Sequence, residues 1–201
     1  MPEKIYFIRH GDTVYSGQCY IGFTDADLNE KGINNARKAV PFFIKNKPDA
    51  VFSSDLKRAS RTAEILFPSV EILKNPLLRE LNFGEWETLN YKEISAIDAE
   101  YYEKWLSSPA DIAPPAGETL AELNTRIKKF IQQLKGRNIA IVSHTGPIIL
   151  MLFHFLNKPL ADFYDIIIPP ASVSVLHLKH EKACYAEIDI FGSRRVIKWE
   201  K

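Results

Sequence analysis

The stretch that most constrains the fold is Ile5 to Thr13, read I-Y-F-I-R-H-G-D-T. Four β-favouring residues, Ile5 to Ile8, are followed at once by a cation, an imidazole and a glycine. A short continuous apolar run bounded in this way reads as a buried strand. Gly11 then lets the backbone turn sharply or approach a ligand closely. Arg9 and His10 therefore fall at the carboxyl end of a central strand, where open α/β sheets bind their ligands. One strand-end histidine is more often a plain loop residue than a catalytic one. The ending recurs, however, at Ile139 to Gly146, I-A-I-V-S-H-T-G. Two such strands lying parallel and adjacent would bring both imidazoles to one rim.

The intervening chain fits that arrangement. Val14 to Asp27 is turn-rich, too long for a simple connection, and suited to lining a site. Asn29 is an N-cap candidate. Ile33, Ala36, Ala39, Val40 and Phe43 read as one helix running through Pro41. Ala50-Val51-Phe52 is a second strand, and Asp55 or Ser54 is expected to cap a helix that buries Ala59, Ala63 and Leu66. Val70 to Leu73 is a third strand candidate. Between Arg79 and Pro115 the pattern loosens around Phe83, Trp86, Tyr91, Tyr101, Tyr102 and Trp105, most of which are expected to pack this segment onto the core. Leu120, Leu123, Ile127, Phe130, Ile131 and Leu134 form the cleanest amphipathic helix, with Gly136 as its stop. Pro147 suits the first position of a buried helix. Ser172 to Leu178 and Ala183 to Ile190 read as late strands. The expectation is one α/β domain over 1–201, a three-layer sandwich. Its central sheet is mostly parallel with helices on both faces, and a lid-like, partly helical insertion over 79–115 covers the site.

Charge and composition narrow the chemistry. Among 201 residues the formal net charge is +1, which points to neither nucleic acid nor an anionic membrane. No apolar run reaches 18 residues, so no transmembrane span is expected. The N-terminal M-P-E-K lacks a signal-peptide core, and a cytoplasmic location is expected. Cys19 and Cys184 have no metal-type spacing and read as reduced thiols. His154, His177 and His180 read as structural or solvent-facing, the last two lying on opposite faces of a strand. No metal site or cofactor is expected. Attraction for an anion must then be local. Arg9 and the helix-start Arg58 offer two guanidinium forks suited to phosphate. His144 precedes a helix start whose free N–H groups favour an anion. Two arginines, two histidines and a helix N-terminus suit a tetrahedral dianion.

These motifs resemble the histidine phosphatase superfamily, the phosphoglycerate-mutase-like fold. Arg9-His10-Gly11 is similar to its signature. Ser53 to Ala63, S-S-D-L-K-R-A-S-R-T-A, resembles its second motif and carries over Arg58. Leu78-Arg79-Glu80-Leu81 with Phe83-Gly84-Glu85-Trp86-Glu87 resembles the segment supplying the acid, hence Glu80. Val142-Ser143-His144-Thr145-Gly146 resembles the fourth motif and carries over His144. Gly22-x-x-Asp25-x-x-Leu28-x-x-x-Gly32 and Gly117-Glu118-Thr119…Arg126 also fit.

The resemblance implies hydrolysis of a small phosphomonoester through a phosphohistidine. It makes His10 the nucleophile, Glu80 the proton donor, and Arg9, Arg58 and His144 the phosphoryl cradle. Ser16, Gly22 and Thr145 are the candidate substrate contacts, Ser16 standing where many members carry an asparagine. Glu85 and Glu87 are expected to face solvent. The mutase run Y-G-x-L-x-G-L-N-K is altered here, with Tyr91 in place of its lysine, which favours hydrolysis over mutase chemistry. The aromatic insertion is similar to that of the α-ribazole phosphatase branch of cobalamin assembly. Sugar phosphates, phosphoserine metabolites and a broad range of monoesters stay open, as does an inactive phosphate-binding module. The oligomeric state is open as well.

Overall fold

The computed structural model describes residues 2–179, 182–189, 192 and 195–198. Its centre is the strand β1 (Lys4–Arg9), whose four middle residues are all buried. Alternate residues point to opposite faces of a strand. Ile5 and Phe7 join one apolar cluster, and Tyr6 and Ile8 join another. Burial of both faces is why the sequence is continuously apolar there rather than alternating. Each such side chain contributes roughly 1.5–3 kcal/mol. Four together outweigh the cost of a few poorly paired polar groups at the strand's end, about 1–3 kcal/mol each.

The remaining strands are β2 (Ala50–Ser53), β3 (Ile72–Lys74), β4 (Asn138–Ser143), β5 (Val173–Lys179), β6 (Lys182–Ile188) and β7 (Arg195–Lys198). They form a mixed sheet in the order β3-β2-β4-β1-β5-β6-β7. The half from β3 to β1 is parallel. From β1 through β7 each neighbouring pair is antiparallel. Helices α1 (Glu30–Lys38), α2 (Val40–Lys45) and α3 (Lys57–Leu66) accompany the Tyr6 and Ile8 face, supplying Phe43, Ala59, Ala63 and Leu66. Helices α4 (Tyr91–Ser107), α5 (Leu120–Ile131) and α6 (Thr145–Leu156) accompany the other face, with Trp105, Leu123, Phe130 and Ile148 in its core. The three-layer α/β sandwich is therefore as expected, but the sheet is mixed, with three parallel and three antiparallel pairs among the described residues, rather than mostly parallel.

Several local readings change. The helix expected to run through Pro41 is two helices, broken at Ala39, and Pro41 occupies the first turn of the second, where its missing N–H is harmless. Neither Ser54 nor Asp55 is the N-cap of α3. That position is Leu56, and the Lys57 N–H donates instead to Asp25 Oδ1 at 2.7 Å. Helix α6 starts at Thr145, so Pro147 is its third residue, not its first. The third strand lies two residues later than read, as a short and mostly exposed edge. The last strand was not anticipated. The readings for His180 and Ile190 lie outside the described residues. Helix α4 opens with a capping box from Asn90 and Glu93 and is kinked at Asp98, whose carboxylate accepts from the Tyr101 N–H at 2.9 Å.

Beyond β1 the chain packs closely against α1. A Cβ on Gly11 would lie 2.7 Å from the Gly32 carbonyl oxygen, and one on Gly32 would overlap the Asp12 carbonyl. Only two facing glycines allow the backbones this approach, which seats the loop carrying His10. Replacing Gly32 with alanine is expected to destabilise the protein by about 1–3 kcal/mol, the usual range for overpacking. A lowered urea midpoint with unchanged slope would register it.

Candidate active site

The register of β1 on β4 pairs Arg9 with Ser143. The next residues, His10 and His144, therefore leave the sheet side by side, with ring centroids 4.9 Å apart. The His10 N–H donates to the Ser143 carbonyl at 3.0 Å, extending the ladder one step beyond the strand. His10 Nδ1 lies 2.7 Å from the carbonyl oxygen of Gly11. A carbonyl only accepts, so Nδ1 carries the proton and Nε2 keeps its lone pair. Both ring nitrogens of the fully buried His144 lack a hydrogen-bond partner among the described residues.

The two guanidiniums are held by carbonyls. Arg58 is only 1% exposed. Its Nη1 donates to the Thr24 carbonyl at 2.8 Å and its Nη2 to the Gly22 carbonyl at 2.7 Å. Arg9 Nη1 donates to the Ile168 carbonyl at 2.6 Å. The Nε of each arginine is buried without a hydrogen-bond partner among the described residues. Carbonyl dipoles aim these cations without neutralising them. Burial lowers the Arg58 pKa to about 10, with Glu80 the first of the charges opposing the shift.

Arg9, His10, Arg58 and Glu80 line one cavity of about 200 Å³, together with Ser16, Tyr20 and Phe83. His144 lies against His10 rather than in that wall. The expected site is thus gathered in one place. Ser16 Oγ accepts from the Thr13 N–H at 2.9 Å, leaving its own hydrogen to donate. Thr145 lines a second, adjoining cavity. Gly22 is occupied within the protein: its carbonyl holds Arg58 and its N–H donates to Glu87.

Two carboxylates sit differently from their expected places. Glu87 does not face solvent. It accepts from the N–H groups of Gly22, Phe23, Thr24 and Phe83 at 2.7–3.2 Å. Burial alone would raise its pKa. The hydrogen bonds from Thr24, Phe23 and Gly22 prevail, and it is lowered. Glu87 thereby folds the loop whose carbonyls hold Arg58. Glu80 Oε1 accepts from the N–H groups of Leu81 at 3.0 Å and Gly146 at 3.1 Å. The positive end of α6, expected to meet the ligand, meets the acid instead. Burial raises the Glu80 pKa, against the pull of those two N–H groups, Arg9 and Arg58.

The second cavity, about 210 Å³, is walled by Trp105, Leu106, Leu120, Phe163 and others, and shares Tyr20, Glu80 and Phe83 with the first. Tyr20 and Tyr102 join hydroxyls at 2.7 Å, tying the turn-rich loop to α4. Sequence reasoning placed that loop at a site but did not single out Tyr20. Most insertion aromatics do pack as expected: Trp86, Tyr102 and Trp105 are buried in ring contact. His177 stacks on Tyr185 and lies 3.3 Å from Glu187. Among the described residues no cluster of three or more His, Cys, Asp or Glu could hold a metal, and no helix is long and apolar enough to cross a membrane.

The comparisons agree with this geometry. The family profile of the histidine phosphatase superfamily (branch 1) matches residues 5–189. An adenosylcobalamin/alpha-ribazole phosphatase of Salmonella typhimurium is 30% identical over 195 residues, covering 93% of this chain and 90% of that protein. Phosphoserine phosphatase 1 of Hydrogenobacter thermophilus is 28% identical, covering 93% and 92%. The crystal structure of the alpha-ribazole phosphatase from Shigella flexneri superposes with a TM-score of 0.84 at 26% identity, covering 90% of this chain and 93% of that one. With paired strand-end histidines, and with His10, two carbonyl-held arginines and a half-buried acid lining one cavity, the chain belongs to the histidine phosphatase superfamily and is a phosphatase.

Proposed function

We propose that the chain hydrolyses phosphomonoesters in two displacements at phosphorus, with His10 carrying the phosphoryl group between them. The observation that carries this reading is the Nδ1 contact to Gly11, which leaves Nε2 as the nucleophilic atom beside Arg9, Arg58 and Glu80. In the first step Nε2 attacks phosphorus, the ester P–O bond breaks, and the departing oxygen takes the proton of Glu80. In the second, water attacks phosphorus, Glu80 accepts its proton, and the P–N bond breaks with its electron pair returning to Nε2. Arg9, Arg58 and His144 hold the phosphoryl oxygens in line. The nucleophile has to be neutral. Burial first, then Arg58 and Arg9, hold the His10 pKa well below the usual imidazole range.

The adjoining cavity supports a finer reading, an α-ribazole-5′-phosphate phosphatase of cobalamin biosynthesis, in the cytoplasm, with the 79–115 segment as its lid. Among the described residues, Glu80 is the only carboxylate lining that cavity, and no Lys, Arg or His lines it. The carboxylate of phosphoserine would meet no cation there among the described residues and would lie near Glu80 instead, which is unfavourable. A dry cavity of about 150 Å³ holds benzene, so about 210 Å³ suits a larger uncharged ring. The name of the Salmonella relative supports the same substrate, whereas the Hydrogenobacter relative's name favours phosphoserine.

Quenching in alkaline detergent during turnover of a ³²P-labelled monoester should trap alkali-stable, acid-labile label on the wild-type chain and none on His10→Ala. Unlabelled wild type, or a variant with wild-type turnover, would overturn the mechanism. The kcat/KM for α-ribazole-5′-phosphate should exceed that for O-phosphoserine by more than about tenfold, the discrimination a site gains by leaving polar groups unpaired. The reverse order would favour the phosphoserine reading.

Stability should also depend on pH. His10 and His144 both stay neutral in the folded protein, burial being the main cause. The unfolded chain takes up protons below its ordinary histidine pKa of about 6.5, and the folded chain does not. Stability is then full above about 6.5 and falls as pH drops below it, by about 1.4 kcal/mol per pH unit for each histidine. Replacing His144 with asparagine should remove one histidine's share of that slope in urea titrations between pH 6.5 and 5.

A further inference from the structure

Glu80 lies on an irregular segment after a 3-10 turn (Pro76–Leu78), with no strand or helix to fix its backbone. The carbonyls of four successive residues in this segment are nonetheless each met by a side-chain donor. Arg126 Nη1 donates to the carbonyls of Leu77 and Arg79, both at 2.7 Å, and Nη2 to that of Glu80 at 2.6 Å. The hydroxyl of Ser143, beside His144, donates to the Leu78 carbonyl at 2.7 Å. The remaining Arg126 donors, Nε and Nη2, reach the two carboxylate oxygens of Glu118 at 2.8 and 2.9 Å. Glu118 Oε2 also accepts from the Asn82 N–H at 3.3 Å, and its own N–H donates to the Asn82 carbonyl at 2.9 Å. All five N–H donors of one guanidinium are thus committed, three of them to the segment bearing the acid.

We propose that Arg126, braced by Glu118, is a positioning residue that sets the reach of Glu80 to the departing oxygen. This rests on Glu80 being the proton donor. Helix α5 holds the Glu80 main chain through Arg126, and the start of α6 holds its carboxylate through Gly146. The carboxyl is fixed from both ends between the two cavities, where the ester oxygen must lie. A shift of an ångström in a catalytic group is enough to change rates about a hundredfold. Lysine cannot replace this arginine, because an ammonium offers three donors from a single point rather than five in a planar fork. Arg126 does not line the cavity of His10, and although its charge reaches His144, that charge is paired with Glu118, so its contacts bear chiefly on the step that needs the proton.

The test compares a poor leaving group, ethyl phosphate, with a good one, p-nitrophenyl phosphate, which departs without a proton. The kcat/KM reports events up to loss of the alcohol, so it isolates that step. Arg126→Gln and Arg126→Lys should lower kcat/KM for ethyl phosphate on the order of a hundredfold, and for p-nitrophenyl phosphate by less than about fivefold. Glu80→Gln should give the same split, larger. Equal losses on both substrates in folded Arg126 variants would make the clamp merely structural and overturn the proposal. Should the Arg126 variants not fold, Glu118→Gln keeps the shape, loses the charge, and is expected to give the split in weaker form. Parallel losses there would overturn the proposal equally. If Glu80→Gln itself shows no split, the failure lies in the assignment of the acid.

Discussion

The site depends on the register between two strands. Arg9 pairs with Ser143 in the parallel β1–β4 ladder, so the next residue of each strand is a histidine leaving the sheet at the same level. A slip of one residue would turn every side chain of β1 to the opposite face. Here both faces are buried, so the slip would exchange Phe7 with Ile8 across two differently shaped cores. The packing of Ile5 to Ile8 therefore fixes the imidazole pair, at a ring separation of 4.9 Å, as firmly as it fixes the sheet. Catalytic geometry is here a by-product of core packing.

The four arginines around the site divide by their partners. Arg79 and Arg126 pair bidentately with carboxylates, Asp55 and Glu118, so their charge is neutralised locally. Arg9 and Arg58 meet carbonyl oxygens instead. Neutral dipoles orient a cation yet leave its charge available to an anion. The carboxylate nearest the Arg58 loop, Glu87, is turned onto backbone N–H groups and orders that loop. The division separates cations that build the fold from those proposed to meet substrate, on hydrogen-bond partners alone.

The strand ends, the paired histidines and the α/β layering were legible in the sequence, because each rests on local pattern: a continuous apolar run, a glycine, a helical period. What escaped depends on distant partners. Nothing near Lys57 reveals that Asp25 meets its N–H, and nothing near Glu87 reveals a nest formed by Gly22 to Thr24. The anionic partner of the α6 start was misread for the same reason. A free helix N-terminus attracts any nearby carboxylate, and Glu80 arrives from 66 residues away. The break at Ala39 has a local cause, Pro41, which cannot continue a helix interior but fits the first turn of a new one. The final strand is only four residues, too short to show a period of its own, although Gly192-Ser193 before it signals a turn.

Charge balance then links the acid to the substrate. A phosphomonoester dianion carries two charges and meets two guanidiniums. With both histidines neutral, the filled site is balanced only if Glu80 is protonated. Before substrate binds, Arg9 and Arg58 pull the Glu80 pKa down while burial holds it up. A bound dianion cancels the guanidinium pull and leaves burial less opposed. In the proposed mechanism, binding therefore favours the protonated form of the carboxyl that donates to the departing oxygen. By the same mechanism, loss of the alcohol leaves Glu80 ionised in a half-buried, desolvating setting, ready to take a proton from water. The same desolvation that favours the acid in the first displacement favours the base in the second.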